Sequence, residues 1–370
     1  MKRRGSHTAC SLLLIMAALI LLVAFRCSLH HHSVPGGRQS RADGAGHDDA
    51  ALMELAAIDT AATSVLEAAK KMLEGNLARA PEEHREVAVR GLRQWIGQQQ
   101  RFDPGVMSEL VSLVKRPIDR YYGRDGEHDD RKYASCAVVG NSGILLASEH
   151  GGLIDSHELV VRLNNAPAGK EGTALARRVG ARTGLAFLNS NVLSRCAGAG
   201  CCRERYGGGA MAVPVLTYMC SGAHFVEHTA CSSSSSNASS LSAPVIVTDP
   251  RLDALCARVA KYYSLRRFAR EKGRPAEEWA AVHEEGMFHY SSGLQAVVAA
   301  AGVCERVSVF GFGKAAGVRH HYHTLQKGEL DLHDYEAEYE FYRDLQEARP
   351  EGIPFLRDSG FTLPPVVFYR

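Results

Sequence analysis

Two textures divide the chain. From residue 134 onward, short apolar runs alternate with longer stretches of helical periodicity. CAVVGNSG, ELVVRLNN, GLAFLNS, VPVLTYM, APVIVTD and RVSVFGFG are rich in branched and aromatic residues, as buried strands are. RLDALCARVAKYYSLRRFAREKG, SSGLQAVVAAAGV and, later, HDYEAEYEFYRDLQEA read as helices. Strand–helix alternation predicts an α/β domain: a mostly parallel sheet flanked by helices. Ligands of such sheets bind beyond the carboxyl ends of the strands, so the residues after each strand are the first candidates for chemistry.

Upstream, the pattern is helical. LMELAAIDTAATSVLEAAKKMLEGN is Ala-rich and amphipathic and predicts a helix ending near Gly75-Asn76; HREVAVRGLRQWIGQQQ predicts a second. Pattern alone leaves open whether residues 50–130 form a helical stem or a cap on the domain. Residues 27–49 are mostly His, Gly, Arg and Ser without periodicity, which reads as a flexible stem. There, His30-His31-His32 reads as part of a polar tract rather than a metal site.

At the start, Lys2, Arg3 and Arg4 precede ACSLLLIMAALILLVAF. This uncharged run is near the lower limit of roughly 17 to 25 residues that a helix needs to span a bilayer. A cleaved signal peptide also has a basic start and an apolar core, but its core is usually about 7 to 15 residues. Phe25-Arg26-Cys27 is also a poor small-residue cleavage site. The expectation is a retained signal anchor at 9–26, a cytoplasmic tail at 1–8 and a luminal catalytic domain at 131–370.

With 370 residues the chain has room for one large domain, or for a domain plus an appendage. A net charge of +2 gives no global reason to expect nucleic acid. Of the ten cysteines, Cys10 and Cys27 lie in or beside the apolar run and the other eight lie beyond it; in an oxidising lumen some of those should pair. Asn237-Ala238-Ser239, inside SSSSSNASSLS, is an N-glycosylation acceptor in a surface loop.

The first strand ends in Gly140-Asn141-Ser142-Gly143. Glycines there would let backbone amides approach a phosphate, yet the dinucleotide pattern G-x-G-x-x-G is absent. The next strand ends in Asn164-Asn165, where a nicotinamide enzyme would want an acid for the ribose. Asparagine offers a donor and an acceptor without charge. A nucleotide site and a tight structural turn both remain open on this pattern.

CAVVGNSGILLASEHGGLIDSHELVVRLNNAP closely resembles the long sialylmotif of the eukaryotic sialyltransferases, glycosyltransferase family 29. Tyr290-Ser291-Ser292-Gly293-Leu294, continued by CERVSVFGF, resembles the short motif. His321-Tyr322-His323-Thr324 resembles the third, and His333 with Glu338 the very short one. The four stand in family order between residues 136 and about 340. The resemblance implies a variant GT-A, Rossmann-like fold and a type II, single-pass Golgi membrane protein. It implies inverting transfer of sialic acid from CMP-sialic acid to a hydroxyl of a glycan on a glycoprotein or glycolipid. No metal and no cofactor are expected, and the chain contains no Asp-x-Asp. Nucleic acid is not an expected partner.

The resemblance also assigns roles. Asn141 and Asn164 fall on CMP-contacting positions, with Ser142 and Gly143 beside the first. Ser291, Ser292 and Gly293 open a helix; capping is the ordinary role of such a serine, and binding of phosphate or carboxylate oxygens is compatible with it. His289 stands where some members have a phosphate-binding Tyr, and Tyr290 where Pro is common. His333 matches the catalytic base, for which a pKa near 6.5 suits proton acceptance. His321 matches the residue that binds the CMP phosphate, with Tyr322 and Glu338 in support. On a helix Glu338 would lie roughly 140° around from His333, so Glu338 reads as a brace. Thr324 stands where an acid or amide is usual. His321 and His323 have no clear third zinc ligand. The family joins Cys136 to Cys304; two buried free thiols are the plainer alternative. The motifs see mostly CMP, so another CMP-linked keto-sugar acid such as CMP-Kdo is a second candidate donor. A non-catalytic luminal glycan-binding protein is the third reading.

Overall fold

The central apolar runs become strands because both of their faces are covered. The computed structural model describes residues 49–58, 67–72, 85–99, 102–124, 130–199, 213–225, 243–283, 288–325, 332–347 and 352–370. The strands are β1 (Cys136–Val139), β2 (Leu159–Leu163), β3 (Leu185–Asn189), β4 (Val215–Tyr218), β5 (Val245–Val247), β6 (Val307–Phe310) and β7 (Val366–Tyr369). They form one sheet in the order β5-β4-β3-β2-β1-β6-β7, with every neighbouring pair parallel. Six coincide with the predicted strands; β7 was not among them. Alternation along a strand sends Val138 and Val161 into the main core, while Ala137, Val139 and Val160 meet Leu145, Ile154 and Phe310 on the opposite face.

Helices of nine residues or more are α1 (Asp49–Ala57), α2 (Arg85–Gln99), α3 (Ser190–Ala199), α4 (Pro250–Lys272), α5 (Ser292–Val303) and α6 (Tyr335–Glu347). Helix α4 has both ends specified. The Asp249 side chain accepts the Arg251 N–H, Pro250 holds the first position, and Gly273 closes the helix at φ 59°. Helix α5 is buried along its whole length and packs on β1, β2, β3 and β6. Beyond it lie α4 and α6. Leu52 and Ala56 of α1 belong to the same core as these helices.

Residues His47–Arg370 make one compact unit, so the region expected to be a stem or cap packs onto the α/β unit through α1 and α2. The helix predicted across 52–76 stops at Ala57, and residues 67–72 are again helical. The predicted anchor at 9–26, His30-His31-His32 and the acceptor Asn237 lie outside the described residues. Among the described residues no helix is long and apolar enough to cross a membrane.

The strand order turns at one place. The chain runs outward from β1 to β5 and then returns to the other side of β1 as β6. That reversal opens a crevice between the loops that leave β1 and β6. Cys136, at the start of β1, is disulfide-bonded to Cys304, just before β6, with Cα atoms 6.0 Å apart. Cys220 and Cys256 are free thiols; Cys201, Cys202 and Cys231 lie outside the described residues.

Candidate active site

Strand ends supply one wall of the crevice. Gly140 and Asn141 follow β1, Leu163 ends β2 and Asn164 follows it, Asn189 ends β3, and Gly311, Phe312 and Gly313 follow β6. Ser291, Ser292 and Gly293 bring the amino end of α5. His320, His321, His333, Tyr335, Glu338, Tyr339 and Tyr342 close the other side. The crevice holds about 770 Å³ of empty space, counted out to its open mouth.

Two glycines let these loops meet. A Cβ on Gly140 would stand 2.7 Å from the Gly311 carbonyl oxygen and 2.9 Å from the Phe312 ring. One on Gly293 would stand 2.8 Å from the same ring. Asn164 takes φ 50°, the left-handed region that asparagine tolerates. Its Oδ1 accepts the Asn189 N–H at 3.3 Å, tying the ends of β2 and β3. The Oδ1 of Asn141 is buried and has no hydrogen-bond partner among the described residues. A buried orphan acceptor costs roughly 1–3 kcal/mol, and here it sits in the crevice wall.

At the start of α5, Ser291 caps the helix by accepting the Leu294 N–H at 3.2 Å. The Ser291 N–H and hydroxyl both donate to Glu338, at 2.6 and 2.5 Å, and the Tyr342 hydroxyl donates to it at 3.1 Å. Glu338 thus braces α6 against α5 and does not bond His333. Burial pushes its carboxyl up to about 7, against the pull of these donors. The Ser292 hydroxyl shares a 3.2 Å hydrogen bond with Tyr218 Oη.

His333 lies two residues before α6. Its Nδ1 is 2.6 Å from the His289 carbonyl oxygen. A carbonyl only accepts, so Nδ1 carries the proton and Nε2 keeps its lone pair. Burial lowers the pKa of this imidazole to about 4, which keeps it neutral at ordinary pH. His321 is lowered to about 4 as well, first by burial and then by the neighbouring His320 and His323. Its Nδ1 is 3.2 Å from Thr324 Oγ1, the residue that replaces the expected acid. Among the described residues, no group of three His, Cys, Asp or Glu side chains is placed to hold a metal ion.

Three expected residues stand behind the crevice rather than on it. Gly143 is a packing position: its N–H donates to the Arg319 carbonyl, and a Cβ would meet that oxygen at 2.8 Å. Tyr322 holds Asn141 from behind, its N–H donating to the Asn141 carbonyl at 2.8 Å and its hydroxyl to Pro167 at 2.6 Å. The His289 ring is stacked on Tyr218 and bonds the Tyr290 carbonyl at 2.7 Å, so its backbone carbonyl, not its ring, serves the site. Conversely, Asn189, His320, Tyr335 and Tyr339 line the crevice without having been singled out. Asn189 was reachable from its place at a strand end; the other three carry no signal of their own in the sequence.

The profile of glycosyltransferase family 29 (sialyltransferase) matches residues 88–349. The chain belongs to glycosyltransferase family 29. Among similar proteins, "sialyltransferase-like protein 3" of Oryza sativa subsp. indica is 70% identical over 392 residues, covering 100% of each chain. The Arabidopsis thaliana protein named beta-1,6-galactosyltransferase GALT29A is 46% identical over 283 residues, 76% of this chain and 67% of its own. A solved mammalian sialyltransferase is 22% identical with a TM-score of 0.38, covering 69% of this chain and 81% of its own. The family 29 match takes in β1 to β6 and every crevice residue named above.

Proposed function

We propose that this transferase moves sialic acid, or another CMP-linked sugar acid such as Kdo, to a hydroxyl of an acceptor glycan, with inversion and with His333 as base. The observation that carries the reading is convergence. Asn141, Asn164, the Ser291–Gly293 turn and a neutral imidazole share one crevice at the turn of the sheet. The buried Asn141 Oδ1 suits an N–H or O–H of the nucleotide. With the Ser291 N–H and hydroxyl donating to Glu338, the N–H groups of Ser292 and Gly293 and the Ser292 hydroxyl are the donors at the start of α5 that suit phosphate or carboxylate oxygens.

The chemistry balances on these groups. The acceptor oxygen bonds to the anomeric carbon as that carbon's bond to the phosphate oxygen breaks. CMP departs with the bonding electrons, and the acceptor's proton passes to His333 Nε2. His321, on the crevice wall, faces the leaving phosphate as a neutral donor. A monophosphate leaving group carries less charge than a diphosphate, so the reaction proceeds without metal in this reading. In this reading the apolar run at 9–26 is a signal anchor and the domain works in the Golgi lumen, where glycoprotein and glycolipid acceptors pass.

The Arabidopsis galactosyltransferase, 46% identical, favours a second reading: a galactosyl nucleotide as donor on the same machinery. One experiment separates them. The purified transferase is offered CMP-sialic acid, CMP-Kdo and UDP-galactose over a panel of glycans, with and without EDTA, beside His333→Ala. Transfer from a CMP sugar in EDTA, lost in His333→Ala, is expected. Transfer from UDP-galactose alone would replace the donor assignment. Absence of transfer from all three, with glycan binding retained, would point to a lectin.

A further inference from the structure

Helix α4 lies outside all four motifs, yet it grips the residue beside the proposed base. Asp334 caps α6: its Oδ1 accepts the Ala337 N–H at 3.2 Å, and its carbonyl accepts the Glu338 N–H at 3.0 Å. The same carboxylate is held from α4. Arg267 Nη1 donates to Oδ1 at 2.8 Å, and Ser264 Oγ donates to Oδ2 at 2.7 Å. Ser264 and Arg267 are three residues apart and so share one face of the helix.

The direction of this chain is fixed. Trp279 Nε1–H can only donate, and it donates to the buried Ser264 Oγ at 2.9 Å. The serine proton is therefore free to go to Asp334. Arg267 is itself steadied by Glu271, at 2.9 Å, one turn along α4. On the other flank of His333, the Leu332 carbonyl accepts the His289 N–H at 3.0 Å. The chain is thus tied to other segments on both sides of His333, through the Leu332 carbonyl on one side and the Asp334 carboxylate on the other, and the imidazole itself to the His289 carbonyl.

We infer that Arg267, acting through Asp334, is a positioning residue for His333; this rests on His333 being the base. The plainer possibility is that the Arg267–Asp334 pair only fastens α4 to α6. Other contacts already do that further along the helices: Arg266 and Tyr263 with Asp344, and Arg266 and Arg270 with Glu340. Loss of Arg267 leaves those contacts in place and loosens the first turn of α6, next to the imidazole. A displacement of about 1 Å at a reacting group costs on the order of 100-fold in rate.

The test compares Arg267→Ala, Arg267→Lys, Asp334→Asn and the double variant Arg267→Ala/Asp334→Asn in the purified transferase. Arg266→Ala, which breaks the neighbouring pairs, serves as the structural control. Arg267→Ala is expected to lower kcat by roughly 10- to 100-fold, with donor and acceptor KM nearly unchanged and a melting temperature no lower than that of Arg266→Ala. Arg267→Lys should recover part of kcat, and the double variant should be no slower than the slower single. Wild-type kcat in Arg267→Ala, multiplicative losses in the double variant, or an equal loss in Arg266→Ala would each overturn the positioning role. Should Arg267→Ala not fold, Arg267→Lys and Asp334→Asn carry the same comparison. Full turnover in His333→Ala would instead overturn the base assignment, and this inference with it.

Discussion

At the scale of single residues, burial decides the protonation states that the site works with. His333 lies in the crevice wall with its pKa lowered to about 4, mainly by desolvation, and its Nδ1–H is committed to the His289 carbonyl. The free-enzyme base sets the acidic limb of kcat/KM. That limb should therefore fall below the ordinary histidine value of about 6.5, toward pH 4. A pH–rate profile reads it directly, and a limb at or above 6.5 would contradict the assignment. His321 is lowered to about 4 too, so the same profile on His321→Ala tells which imidazole the limb belongs to. Stability follows opposite signs at the two buried groups. The folded pKa of His333 lies below its unfolded value, so its contribution is present above pH 6.5 and lost as pH falls through 4. Glu338 is raised to about 7, so its contribution is present below about 4.5 and lost as pH rises through 7.

At the scale of elements, six strands and four long helices were legible: the apolar runs are bounded by turn residues, and all the strands among them but the edge strand β5 are mostly buried on both faces. β7 escaped because VVFY follows Pro364-Pro365 as an isolated run with no helix after it to signal a strand–helix unit. The stretch predicted as one helix across 52–76 is helical to Ala57 and again at 67–72, with Leu52 and Ala56 in the main core and Ala69 in a smaller one. Which loops meet was expected from the resemblance of the four motifs, since glycines and asparagines alone left a structural turn open; where a ring turns was not legible, and the His289 side chain shows why. Its ring takes the stacking place on Tyr218 that packing offers, a preference that no local pattern records. The meeting of the β1 and β6 loops has its own test. In Gly140→Ala the new methyl would overlap the Gly311 carbonyl and the Phe312 ring, so β1 or β6 must shift. Overpacking of this kind costs about 1–3 kcal/mol. A lower denaturation midpoint together with weakened donor binding is expected; unchanged stability would show that the two loops yield freely.

At the scale of the whole molecule, the sheet's turn between β1 and β6 makes the site and also makes it vulnerable. Its two strands come from segments 168 residues apart, and between them pass four strands and helices α3, α4 and α5. The loops that bind donor in the proposed reading leave those two strands. The Cys136–Cys304 disulfide spans that separation at the end of the strands opposite the crevice. Closing a loop of this length in the unfolded chain is worth about 5 kcal/mol in the chain-entropy model, with about 2–4 kcal/mol typical of measured bonds. In the folded protein, by contrast, the two strands are also held by four residues of parallel register. The double variant Cys136→Ala/Cys304→Ala should therefore unfold at lower denaturant concentration by an amount equivalent to about 2–5 kcal/mol. Below its transition it should keep near-normal kcat, because the bond acts on the unfolded ensemble more than on the crevice. Denaturation curves and steady-state rates on the same preparation check both halves. A variant of full stability would show that β1–β6 pairing alone carries the junction. A fully folded variant that has lost donor binding would show instead that the bond sets the spacing of the two loops.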